Sequence, residues 1–226
     1  HNGYNIVLVA RDLPRLQERA KALESTFGIA TTVIQADLAT DAGCKTIEDF
    51  ITNNQIDVLI NNAGIMDGFV PLDELDDELW DRVIAVNLTS VMKLSREVIK
   101  RMLLQGKGSI VTTSSGASFK SGIAGTAYTT SKHGLNGLIK SIATIYGSRG
   151  IRSNGVAPGG TKTNIMDMSQ PIRGQKTMEL LGVNLANASR TAEPEEVAAC
   201  LLFLASDDAS NVNGAILASD SGWVAK

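Results

Sequence analysis

NIVLVARDLPRLQERAKALESTFGIATTVIQA, residues 5–36, is the stretch that decides the fold. Asn5 to Ala10 is an apolar run of strand length. Leu13 to Phe27 then changes period: Leu13, Leu16, Ala20 and Leu23 fall on one helical stripe, with Asp12 placed as an N-cap. Thr31 to Ala36 returns to strand character. A strand, a helix and a second apolar strand make a βαβ unit, whose strands pair in parallel beneath the crossover helix.

The same alternation continues outward. A helix is expected over Asp41 to Thr52, a short β-branched strand over Ile56 to Asn61 and a long helix over Leu79 to Leu104. The acids Asp76, Asp77 and Glu78 suit the start of that helix, where negative charge meets the positive dipole end. Strand Ser109 to Ser114, helix Thr126 to Gly147 and strand Ile151 to Ala157 follow. Helix Glu195 to Ala205, opened by Pro194, and strand Ala215 to Ser219 close the chain. The expected fold class is α/β: one Rossmann-like domain over 1–226, with a doubly wound, mostly parallel sheet. Ligands of such sheets sit beyond the carboxyl ends of the strands, so the residues after each strand carry the functional reading.

Composition narrows the classes. A net charge of −3 with scattered Lys and Arg gives no footprint for nucleic acid. No apolar run approaches the ~20 residues that span a bilayer, so no membrane partner is expected. Cys44 and Cys200 sit in helix-like stretches and read as reduced thiols, which points to a cytoplasmic home and to no metal site.

After the first strand comes Arg11, whose guanidinium either accommodates a 2′-phosphate or is a solvated surface charge. After the second comes Asp37-Leu38, where the carboxylate accepts from an adenine amino group or caps the following turn. Asn61-Asn62-Ala63-Gly64 lets backbone pass close to a flat ligand, or is a simple turn. Ser115 follows the strand ending at Ser114, and Tyr128 and Lys132 lie one turn apart on the next helix. A phenol with a pKa of about 10 gives or takes a proton at neutral pH only with help, and a nearby ammonium lowers that value. Pro158-Gly159 and Thr163 follow the next strand. His133 reads as structural.

Taken together and in order, Asn61-Asn62-Ala63-Gly64, Asn87, Ser115, Tyr128 with Lys132, and Pro158-Gly159 resemble the short-chain dehydrogenase/reductase family, in its compact single-domain form. Ser115 precedes Tyr128 by 13 residues, and Ala205-Ser206-Asp207 and Asp220-Ser221-Gly222-Trp223 resemble the family's ending. The resemblance covers essentially the whole chain. It implies an NADP-preferring (or NAD-dependent) oxidoreductase acting on a small-molecule carbonyl or secondary alcohol, such as a 3-oxoacyl or other ketone. Tyr128 would be the acid/base, Lys132 would lower its pKa and hold the nicotinamide ribose, and Ser115 would orient the substrate oxygen. Asn87 would hold a water linking Lys132 to solvent. Asn62, Ala63 and Gly64 would line the cofactor groove, Asp37 and Leu38 would meet adenine, and Pro158, Gly159 and Thr163 would flank the nicotinamide. Residues 163–190, with the Met-rich piece Ile165-Met166-Asp167-Met168 and Met178, would form a substrate lid or pack ordinarily. The long helices would build a homotetramer or homodimer.

The sequence departs from the family at its start. The opening strand and its glycine-rich turn are not in it; it begins His1-Asn2-Gly3-Tyr4. That strand would be central, so its neighbours would be left with unpaired backbone. The adopted reading is a piece of a longer protein; the other reading is a short chain that binds cofactor poorly. A non-catalytic nucleotide-binding or assembly module on the same scaffold is the alternative function. Ser221 stands where many relatives carry Gly.

Overall fold

The computed structural model describes residues 3–166, 173–186 and 188–225. Strand β1 (Ile6–Ala10), helix α1 (Leu13–Phe27) and strand β2 (Thr31–Gln35) form the expected unit, with β1 and β2 parallel from Ile6 against Thr31. The Asp12 carboxylate caps α1 by accepting from the Arg15 N–H at 3.0 Å. Leu16 and Ala20 are the buried part of its stripe.

Helix α2 (Asp41–Asn53) leads to β3 (Val58–Asn61). β3 starts two residues later than the apolar run suggests. The Ile56 N–H and C=O are taken by the Gln105 side chain, at 3.4 and 3.2 Å, so Ile56 does not join a ladder. The long helix exists in three parts: α3 (Asp77–Ile84), a π-helical turn Ala85–Thr89 and α4 (Ser90–Gln105). Asp76 caps α3 at the Leu79 N–H. β4 (Gly108–Thr113), α5 (Thr126–Tyr146), β5 (Ile151–Pro158), α6 (Gln175–Ala186), α7 (Pro194–Ala205) and β6 (Ile216–Ser219) complete the order. Asp167 and Met168 of the Met-rich piece lie outside the described residues.

The strands are parallel, but the sheet comes in two pieces, β1–β2 and β3–β4–β5–β6. The strands are not all buried at the break: Val7 and Val9 on the apolar β1 are 38% and 36% exposed, and Ile60 on β3 is 44% exposed. These strands flank the position where the sequence reading puts a central strand, and each pairs on one side only.

Two apolar cores cover opposite faces of the larger piece. Ile110 and Ile151 pack with Ile47, Val98, Met102 and Ile142 from α2, α4 and α5. The neighbouring parity, Val111 and Val156, packs with Val197, Leu201 and Leu204 from α7. Alternation along β4 and β5 thus makes a helix–sheet–helix sandwich whose strand ends all point to one rim.

Candidate active site

That rim gathers the expected residues into two adjoining groups. The first is a cleft of about 180 Å³ between the ends of β1, β2 and β3. Arg11, Asp37, Leu38, Ala63 and Gly64 line it, as the sequence implies; Ile65, Arg82 and Val86 line it without having been foreseen. Among the described residues neither Arg11 nor Arg82 enters an ion pair. Asp37 does cap the turn: its Oδ1 accepts from the Ala39 N–H at 2.9 Å. Arg82 lies five residues before Asn87, off its face in a regular helix, so the sequence spacing gave no signal for it.

The second group surrounds Tyr128 and Lys132 on α5. The Lys132 ammonium is buried and donates to the Thr113 carbonyl at the end of β4, 2.9 Å away. It lies 5.5 Å from the centre of the Tyr128 ring. Thr113 is tied in turn to Asn62, whose Oδ1 accepts from the Thr113 hydroxyl at 2.9 Å. Ser115 shares a hydrogen bond with the Tyr128 hydroxyl, and its Oγ also accepts from the Ala117 N–H. Asn87, fully buried on the π-helical turn, faces the Ile65 peptide: its Oδ1 accepts from the Ile65 N–H and its Nδ2 donates to the Ile65 carbonyl, both at 2.9 Å. The same Nδ2 reaches the Ser131 Oγ at 3.2 Å. An inserted residue in a helix turns a side chain out of the regular stripe, and here it turns Asn87 onto the Gly64–Ile65 wall.

Gly64 joins the two groups. A Cβ there would lie 3.5 Å from both Asn87 Oδ1 and Lys132 Nζ, ordinary contact distance, so protein packing alone does not demand glycine. At Gly159 it does: a Cβ would meet Asp220 at 3.0 Å. Pro158 ends β5 beside Gly116, the neighbour of Ser115. Thr163 is not brought in; it is exposed, and its hydroxyl faces the Ile165 N–H. His133 is exposed, and its ring Nδ1 lies 3.0 Å from the Thr129 carbonyl one turn back along its helix. Ser221 adopts φ 55°, left-handed backbone that explains why glycine suits this position.

Three further residues complete the site. Asn136 extends the Tyr128, Lys132 spacing by one more turn. Its Oδ1 accepts from the Ser114 hydroxyl at 2.9 Å and its Nδ2 donates to the Ser118 carbonyl at 3.1 Å, so it brackets Ser115. Met66 and Trp223 pack with Ala117, Ile123 and Ala124 around Tyr128 as an apolar wall.

Burial pushes the Tyr128 phenol above its ordinary value, the Ser115 hydrogen bond pulls it back and the Asp67 carboxylate adds to the rise. Burial also pushes the Lys132 ammonium down, to about 8. A water-excluding pocket acts on both charged forms before either group helps the other.

A larger hollow, about 410 Å³ and open to solvent, lies between α2 and α4 among Asp41, Lys45, Glu48, Lys93 and Arg96. It shares no lining residue with the cleft; Lys93 pairs with Asp41, Arg96 with Glu48, and Lys45 with Asp49 beside it. Cys44 at its floor and Cys200 are free thiols. Among the described residues no helix is long and apolar enough to cross a membrane.

Comparison with known proteins agrees over the whole chain. A family model described as enoyl-(acyl carrier protein) reductase matches residues 1–224. A 3beta-hydroxysteroid dehydrogenase 2 of Eggerthella lenta is 42% identical over 203 residues, 88% of this chain and 77% of that protein. A short chain dehydrogenase, adrF, of Penicillium rubens is 41% identical over 199 residues, 84% of this chain and 78% of that protein. Among solved structures, a gluconate 5-dehydrogenase from Burkholderia cenocepacia J2315 in complex with NADP and tartrate superposes with a TM-score of 0.83 at 26% identity, covering 98% of this chain and 86% of the other. Levodione reductase does so with a TM-score of 0.84 at 29% identity, covering 98% and 88%.

Proposed function

The chain belongs to the short-chain dehydrogenase/reductase family of oxidoreductases, and we propose that it uses NADP to interconvert an apolar ketone and its secondary alcohol, with Tyr128 as the proton donor and acceptor. The observation that carries this reading is the shared hydrogen bond of Ser115 and Tyr128 beside the buried Lys132 ammonium. It leaves a phenol able to face a substrate oxygen, with a second hydroxyl for the same atom.

The cleft fits part of a dinucleotide. At about 180 Å³ it is smaller than the ~300 Å³ at which whole-ligand pockets begin. Arg11 and Arg82 would take a phosphate, Asp37 and Leu38 would meet the base, and Ala63 and Gly64 supply a flat wall. A bound nicotinamide supplies the hydride. In the reductive direction the phenol gives its proton to the carbonyl oxygen as negative charge develops there, and in oxidation it takes the proton back. Ser115 donates to the same oxygen and is held for it by the Asn136 bracket. Lys132 steadies the phenolate left behind. Asn87 fixes the Gly64–Ile65 wall and is assigned the water link from Lys132 to solvent.

Pro158, Gly159 and Thr163 are assigned to the nicotinamide end, with Thr163 moving in when the lid over 163–190, which includes α6, closes. The apolar wall of Met66, Ile123 and Trp223 favours a hydrophobic carbonyl over a sugar acid. Exposed Met92, Leu104 and Ile145 on α4 and α5 support pairing of copies through these helices.

The test is Tyr128→Phe. Oxidation of NADPH by a panel of ketones is expected to vanish while NADPH affinity, read by its fluorescence, stays within about twofold. Binding of NADPH by the parent chain without turnover of any ketone, or an active Tyr128→Phe, overturns the reading.

A further inference from the structure

Asp67 takes no part in the proton path, yet its carboxylate is buried to 1% exposure beside the start of α5. That start is bare. The N-cap of α5 is Gly125, which has no side chain to accept the first N–H groups. A loop far earlier in the chain accepts them instead. The Tyr128 N–H donates to Asp67 Oδ2 at 2.9 Å, the Gly125 N–H donates to the same carboxylate, and the Thr126 N–H donates to the Val70 carbonyl at 3.1 Å.

The geometry is fixed from both sides. Asp67 Oδ1 accepts from the Phe69 N–H at 3.1 Å, and Gly68 and Phe69 both hold left-handed backbone, φ 64° and 61°. A buried Phe seldom adopts that conformation, so its surroundings must impose it. On the helix side, a Cβ at Gly125 would fall 2.4 Å from Asp67 Oδ2. Glycine there makes room for a cap carried by another segment.

We propose that Asp67 is a positioning residue for the proton donor: it closes α5 from outside and sets one negative charge beside Tyr128. The inference rests on Tyr128 being that donor. Tyr128 is the third residue of the helix, whose N–H is the usual target of a capping oxygen. Holding it fixes the backbone from which the phenol reaches Ser115. Among the described residues the charged groups near Tyr128 are Asp67, at its backbone N–H and acting on the phenol through space, and Lys132 across the ring. A carboxylate there favours the neutral phenol, so the donor stays loaded until substrate arrives. Burial raises the Asp67 carboxyl too, while the N–H groups of Tyr128, Phe69, Gly125 and Asp67 itself pull it back.

The experiment separates cap from charge in the ligand-free chain. The Tyr128 phenol is titrated by its near-ultraviolet absorbance, as the difference between each variant and the same variant carrying Tyr128→Phe. Melting temperature is measured in parallel. Asp67→Ala is expected to lower both the melting temperature and the phenol midpoint. Adding Gly125→Ser to Asp67→Ala moves a neutral cap into the helix; it should recover the melting temperature and leave the midpoint low. Adding Gly125→Asp instead should recover both. If Asp67→Ala does not fold, Asp67→Asn, of the same shape without charge, is read by the same titration and should show the same fall. An unchanged midpoint in Asp67→Ala or Asp67→Asn overturns the proposal. So does a midpoint restored as fully by serine as by aspartate. Ketone-dependent NADPH oxidation by Tyr128→Phe judges the donor assignment separately, because the phenol titration needs no turnover.

Discussion

Replacing Asn87 by alanine should loosen the wall between the two halves of the site, and its cost can be worked from the contacts. The Asn87 amide makes three hydrogen bonds, two of them to the N–H and C=O of Ile65 at 2.9 Å. Alanine leaves both backbone groups without their partner. A fully buried orphaned group costs about 1–3 kcal/mol; Ile65 is only half-buried, so water recovers part of that and the lower half of the range applies to each. The expected loss is therefore about 2–4 kcal/mol, which for a chain of this size is a fall of roughly 4–16 °C in melting temperature. NADPH affinity should drop about tenfold as Gly64 and Ile65 move, an effect of about 1.4 kcal/mol. Asn87→Asp should not rescue either value: it keeps the acceptor for the Ile65 N–H but turns a second oxygen on the Ile65 carbonyl. The assays are thermal unfolding and NADPH fluorescence titration. A melting temperature within about 2 °C of the parent would mean that the Asn87 clamp contributes little and that the wall is held elsewhere.

Three further outcomes can be checked. Lys132→Met should raise stability at pH 7 by about 1–2 kcal/mol while removing activity, because the folded chain holds this ammonium at about 8 against 10.5 when unfolded; the unfolded state binds more protons between those values, so the parent gains stability as pH rises through that window and the variant's advantage should fade there, by urea unfolding at pH 7 and pH 10. Arg11→Asp should weaken NADPH by about tenfold or more and shift preference toward NADH, measured by paired titrations; equal loss for both coenzymes would count against a 2′-phosphate contact. Asn136→Leu frees the Ser115 turn, so kcat should fall about tenfold with NADPH binding unchanged; an unaltered kcat would show that Ser115 is held without the bracket.

The fold was readable because each element announced itself with its own period. α1 runs over Leu13–Phe27, where the stripe of Leu16 and Ala20 and the Asp12 cap placed it. β3 was read too long because a side chain, Gln105, substitutes for the ladder at Ile56, and no local pattern records that. The π-helical turn was invisible for a similar reason: one inserted residue changes the hydrogen bonding of a helix without changing its composition. In the site, Tyr128, Lys132 and Asn87 were legible as spacing and order, and Asn136 would have followed from the same spacing. Asp67 was not legible. It acts across 61 residues through a loop whose left-handed pair, Gly68 and Phe69, has only one glycine to signal it.

Spacing alone could not give the sign of the phenol's shift either, and the reason bears on how the site operates. Tyr and Lys at one turn's separation suggest an ammonium that lowers a phenol. That holds where both are solvated enough to stay charged. Here both are buried, and burial disfavours phenolate and ammonium alike. Burial moves both groups toward their neutral forms, yet with Lys132 at about 8 its ammonium keeps its charge at neutral pH. That ammonium lies 5.5 Å from the centre of the Tyr128 ring, where its charge can steady a phenolate. The two effects thus oppose each other at one oxygen: burial disfavours the phenolate, and a charged Lys132 across the ring favours it.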